Sequence, residues 1–160
     1  MYHGAGDIKF VVGSESITAH QFFISLESNA FKAMFENPLF KENQSGEILI
    51  DDFQFQTVQA FVLFSYGHDI GQLLEYPENG MELLRFADKY DIKNLMETLE
   101  EFYLKKITKY NVSFLLSPAS RYNAGQLREG CLKFIQALPQ ADQSCIAFSG
   151  AEEMRDLLEK

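Results

Sequence analysis

The sequence predicts an α+β domain: a small, mainly three-stranded sheet covered by helices, followed by a helical C-terminal extension. Three observations carry this. β-Favouring apolar runs are confined to the first third of the 160 residues. Helical spacing of apolar residues dominates from residue 54 onward. No linker, internal repeat or low-complexity run divides the chain. Strands early and helices late is the α+β pattern.

The elements follow in order. Ile8 to Val12 is a short β-favouring run closed by Gly13-Ser14, and Ser16 to Ala19 reads as its hairpin partner across Gly13-Ser14-Glu15. From His20 the period changes, and Phe22, Phe23 and Leu26 fall at helical spacing. Ser28 is placed to cap a second helix, with Phe31, Met34 and Phe35 on one face, until Asn37-Pro38 interrupts it. Lys41 to Gly46 is polar and loop-like. Glu47 to Asp52 is a third strand, its contiguous Ile48, Leu49 and Ile50 suggesting cover on both faces.

Gln54 to Tyr66 reads as a helix with a broad apolar face (Phe55, Val58, Phe61, Val62, Phe64) and Gly67 as its stop. His68 to Gly80 is broken by Gly71, Pro77 and Gly80, with Ile70, Leu73 and Leu74 in a brief strand or turn. Helical segments follow at Met81 to Tyr90, Ile92 to Lys106, Asn111 to Leu116 and Ala124 to Leu138. Residues 95, 96, 99, 102 and 103 form a stripe. Pro139 ends the last long helix, and a weaker helical tail spans Ser149 to Lys160.

Composition narrows the function classes. Formal net charge is −9, so phosphate backbones repel the chain and nucleic-acid binding is not expected. The basic cluster Lys105, Lys106 and Lys109 suits a helix C-terminus, where cations meet unpaired carbonyls. Residues 1–6 have neither the basic start nor the apolar core of a secretory signal. With only Cys131 and Cys145, reduced thiols in a cytoplasmic or nuclear protein are expected. No apolar run approaches the ~20 residues of a membrane helix, so no membrane association is expected.

No catalytic constellation is legible. His3, His20 and His68 lie far apart, none with a second ligand at metal spacing. His20, at a strand-to-helix junction, suits a structural hydrogen bond. Cys131 falls on the apolar side of a helix, beside Leu132 and Phe134. Gly4-Ala5-Gly6 precedes a strand instead of linking one to a helix, so it is no phosphate cradle. Glu97, Glu100 and Glu101 read as a solvated helix face. No catalytic residue, metal site or cofactor is expected.

One ordered run of short motifs says more: Asp7-Ile-Lys-Phe10, Thr18-Ala-His20, Ser28-x-x-Phe31-x-x-Met34-Phe35, Phe40-Lys41-Glu42, Glu47-Ile-Leu-Ile-Asp51 and Phe64-Ser-Tyr66-Gly67, then Ala87-Asp88-Lys89-Tyr90. In this order and spacing the chain resembles the BTB/POZ family over residues 7–107, and residues 108–160 resemble the 3-box, or partial BACK-like, helical extension that follows BTB in adaptors. The resemblance implies a protein-interaction adaptor, expected to bind cullin-3 as the substrate-adaptor subunit of a RING ubiquitin ligase. The family's cullin contact, a hydrophobic residue, any residue, then Glu, matches Phe40, Lys41 and Glu42. Tyr66 and Tyr90 lie near helix ends used around that surface.

Alternatives stay open. Phe40 either anchors a partner or folds back onto the core, and each tyrosine suits an ordinary half-buried role with a wet hydroxyl. A homodimer is implied by the family, yet only residues 1–6 precede Asp7, too few for the helix that family dimers often use, so either the chain is a fragment of a longer protein or dimerisation is weakened or built differently. Phe22, Phe23 and Leu26 then offer an apolar interface, against burial on the domain's own sheet. The competing function is a BTB used for self-association, scaffolding or co-regulator recruitment without a ligase.

Overall fold

A computed structural model describes residues 6–149, the side chains of residues 145 and 147–149 excepted. The chain forms two compact units, one up to residue 96 and one from 97 onward.

The first unit is built on a three-stranded sheet in the order β2-β1-β3. Strands β1 (Ile8–Val12) and β2 (Glu15–Ala19) form an antiparallel hairpin, while β3 (Glu47–Leu49) lies parallel to β1. Gly13 takes the positive φ the tight turn requires. Because alternate strand residues face opposite sides, Ile8, Phe10, Val12 and Ile48 enter the core, with Ile50 just beyond the strand. Cover on both faces of the third strand is not found. Leu49 is 70% exposed, since β3 is a three-residue strand at the sheet edge and only its Ile48 side meets the interior.

The helices of this unit are α1 (Gln21–Glu27), α2 (Asn29–Glu36), α3 (Lys41–Ser45), α4 (Phe55–Ser65), α5 (Gly71–Leu74) and α6 (Pro77–Lys89). Their core is aromatic: Phe31 lies 5.3 Å from Phe10, 5.8 Å from Phe61 and 4.4 Å from Tyr90 by ring centroids, and Phe86 lies 5.3 Å from Phe61. Offset and edge-on contacts of this kind add to the burial of each ring.

Two stretches expected to be irregular are helical. Residues 41–45 form one turn ended by Gly46 in the left-handed region, and residues 71–74 form another. Elements this short carry too few residues for a period to emerge. Helix α6 also starts earlier than expected, because Pro77 occupies its first turn, where a missing N–H costs nothing.

Two helix stops share one geometry. After α4 and α6 the chain turns through Gly67 and Asp91 at positive φ, and the next residue's N–H reaches back: His68 to the Leu63 carbonyl (3.0 Å), Ile92 to that of Ala87 (2.9 Å). Helix starts are less conventional. Only Ser28 caps its own helix, α2, within the hydrogen bonds found at these N-termini. For α1 and α4 a carboxylate comes from elsewhere in the chain: Asp7 accepts the Gln21 N–H at 2.7 Å, and Glu82 accepts the Thr57 hydroxyl at 2.7 Å and the Gln54 N–H at 3.4 Å.

Helix α7 (Lys93–Leu104) carries the division between the units. In the second unit α8 (Val112–Arg121) and α9 (Gly125–Ala137) pack against one another around Val112, Leu115, Leu116, Leu127 and Cys131. Helix α8 continues five residues past its expected end, through Pro118. Glu100 is not on a solvated face. It is 4% exposed and accepts the N–H groups of Gln126 (2.7 Å) and Leu127 (3.0 Å), capping α9, whose own cap position holds Ala124. Helix α10 (Gln140–Ser149) was not expected, since its apolar residues have weak spacing. The expected tail beyond Ser149 lies outside the described residues.

Candidate partner-binding surfaces

Helix α2 ends at Asn37, and the next three residues form a tight outward corner. The Asn37 side-chain oxygen accepts the Leu39 N–H at 3.0 Å, and its carbonyl accepts the Phe40 N–H at 3.1 Å. From α3, Asn43 donates to the Phe35 carbonyl and Gln44 to the Pro38 carbonyl (3.1 Å). The loop is tied on both sides. Phe40, at the cap position of α3, is 43% exposed, Lys41 is exposed, and Glu42 sits half-buried in the first turn, where negative charge is favoured. Leu39, which sequence reasoning passed over, is 87% exposed.

A second apolar surface lies on α1. Ile24 alone is buried, while Phe22 (66%) and Leu26 (64%) stand exposed one turn apart and Phe23 is partly exposed. These three do not bury against the domain's own sheet. Phe23 lies 4.8 Å from the ring of Tyr66. The Tyr66 hydroxyl accepts the His20 backbone N–H at 2.9 Å and lies 2.6 Å from His20 Nδ1. So His20 has the structural hydrogen bond expected of it, and the Tyr66 hydroxyl is engaged within the protein.

Tyr90 differs from its expected place at the surface. It is 6% exposed and stacks on Phe31 with 15° between the ring planes. Burial holds its phenol above the ordinary range, opposed by the Lys89 ammonium. It is a core residue. A helix end is a poor guide here, because the tyrosine closing α6 turns its ring inward.

Asp52 and Lys89 form an ion pair at 2.7 Å, beside Arg85, which lies over the Phe53 ring at 4.0 Å and donates to the Asp52 carbonyl. Chemistry is sparse. Among the described residues no group of His, Cys, Asp and Glu could hold a metal ion, and no helix is long and apolar enough to cross a membrane. Burial pushes the Cys131 thiol up to about 11, far from a nucleophile's range.

The BTB/POZ family model matches residues 4–107, a range that holds the three-stranded sheet and helices α1 to α7. This chain belongs to the BTB/POZ family. Among curated proteins, it is 33% identical over 124 residues to BTB and MATH domain-containing protein 42 of Caenorhabditis elegans, covering 78% of this chain and 30% of that protein. A BTB/POZ domain-containing protein of Arabidopsis thaliana is 31% identical over 129 residues (81% of this chain, 39% of that protein). BTB/POZ and MATH domain-containing protein 3 of the same plant is 29% identical over 138 residues (81% and 34%). The chain therefore spans well under half the length of these relatives. The BTB/POZ domain is a protein-interaction module, and exposed apolar side chains on a rigid frame are what such a module requires.

Proposed function

We propose that this protein is a substrate adaptor for a cullin-3 RING ubiquitin ligase, with the loop after α2 facing the cullin. The observation that carries the reading is Phe40. Its ring stands partly exposed at the tip of a loop held by four internal hydrogen bonds, with Glu42 two residues on in a helix's first turn. A pre-formed aromatic tip binds without first losing conformational freedom. Lys41 lies at the exposed edge of the same turn. Tyr66, bonded to His20, lies against Phe23 of α1 and has no part in holding the loop. In this reading residues 108–160 are the 3-box or partial BACK-like extension, and the protein works in the cytoplasm or nucleus.

Titration of the full chain against the N-terminal region of cullin-3 tests the proposal. Binding at micromolar concentrations is expected, weakened about tenfold or more by Phe40→Ala. A folded protein with no detectable binding at tens of micromolar would exclude the ligase role.

The second reading, self-association, is favoured by Phe22 and Leu26, two large apolar side chains standing in solvent one helical turn apart. Sedimentation of the wild type beside Phe22→Glu separates a homodimer built on α1 from a monomer.

A further inference from the structure

We infer that Leu39 is a second anchor of the docking loop, and that the partner face receiving it is apolar and rimmed with basic side chains. This rests on the reading of the loop as a binding surface.

Three observations carry it. First, Leu39 is the most exposed large apolar side chain described in the first unit, at 87%, and it adjoins Phe40. An isolated exposed leucine needs no explanation, but two adjoining apolar side chains on one corner are a patch. Second, the exposure is imposed. Leu39's own N–H is held by the Asn37 side chain, and the carbonyl before it, that of Pro38, by Gln44, so the backbone cannot turn the side chain inward without breaking both bonds. Third, charge favours a basic rim. Residues 6–96 contain 14 Asp and Glu against 6 Lys and Arg, and Glu36 and Glu42 flank the corner with Lys41 as the one cation between them. A surface that closes over Leu39 and Phe40 therefore brings its own edge against carboxylates, which basic groups satisfy.

The test is titration calorimetry of the full chain and its Leu39→Ala, Leu39→Met and Phe40→Ala variants against the N-terminal region of cullin-3, at two salt concentrations. Leu39→Ala is expected to weaken binding about tenfold, as for withdrawing a buried leucine side chain from an interface. Leu39→Met should stay within about threefold of wild type, being near-isosteric. Affinity should fall with added salt. Both Leu39 variants should keep the wild-type melting temperature, because Leu39 stands in solvent, and circular dichroism should show Phe40→Ala still folded at the titration temperature. Leu39→Ala binding within twofold of wild type while Phe40→Ala is weakened would overturn the second anchor and leave the adaptor reading standing. No binding by the wild type overturns both, and affinity that rises with salt overturns the basic rim.

Discussion

The Ser28 hydroxyl donates to the Tyr90 carbonyl at 2.6 Å and accepts the Phe31 N–H at 3.1 Å. One side chain thus starts α2 and holds the end of α6, 62 positions away. Ser28→Ala removes the cap and strands a buried carbonyl, so a loss of about 2 kcal/mol is expected. Urea unfolding checks it, with the midpoint falling at unchanged slope.

Glu100 does comparable work in the second unit. Glu100→Ala leaves the buried Leu127 N–H and the part-buried Gln126 N–H at the start of α9 without their acceptor, and a loss of about 2 kcal/mol follows. Glu100→Gln keeps an acceptor oxygen and should cost less than half of that. Amide exchange at Gln126 and Leu127 reports the difference directly, since both should lose protection first in the alanine variant.

The Asp52–Lys89 pair makes a pH-dependent contribution. The hydrogen bond from Lys89 lowers the Asp52 carboxyl below 3.8; burial is the largest single influence on the Lys89 ammonium and lowers it, but the hydrogen bonds and charges of Asp52 and Tyr90 together outweigh burial and raise the group above 10.5. A depressed carboxylate stabilises the fold above its unfolded value and loses that contribution as pH falls through the folded one. A raised ammonium stabilises below its unfolded value and loses its share as pH rises past the folded one. The pair is thus complete between roughly pH 4 and pH 10. With more than a third of each side chain exposed, it is worth about 0.5 kcal/mol. Asp52→Asn should lower the melting temperature slightly at pH 7, and by less as pH falls below 4.

Gly67 stops α4 at φ 76°, with open space where a Cβ would sit. Gly67→Ala should therefore cost about 1 kcal/mol, all of it backbone strain. A calorimetric scan that found no change would mean the turn relaxes.

Cys131 is enclosed in the second unit, its thiol held up to about 11 by burial. Alkylation at pH 8 should leave this residue unmodified in the native protein and modify it fully in denaturant, as peptide mass mapping would read out. Fast native labelling at Cys131 would mean that the second unit opens readily.

The fold was legible wherever a signal was local and periodic. The hairpin across Gly13, the Ser28 cap and the α7 stripe at Leu95, Leu99 and Tyr103 each follow from spacing alone. One-turn helices at 41–45 and 71–74 were not, because four or five residues display no period. Pro77 misled by acting as a starter instead of a breaker. At the candidate surfaces, residue types pointed to Phe40 and to α1, but exposure is a tertiary property. No spacing could turn Tyr90 inward and Leu39 outward. The left-handed stop at Asp91 was equally hidden, since it carries an aspartate where glycine is the usual sign.

The imported carboxylates at α1, α4 and α9 set a limit on taking this protein apart. A synthetic peptide spanning any of those helices leaves behind Asp7, Glu82 or Glu100, and with it the acceptor for its first amides. Such fragments should be mostly coil in water, and grafts onto another scaffold will need a serine or aspartate written in at the start.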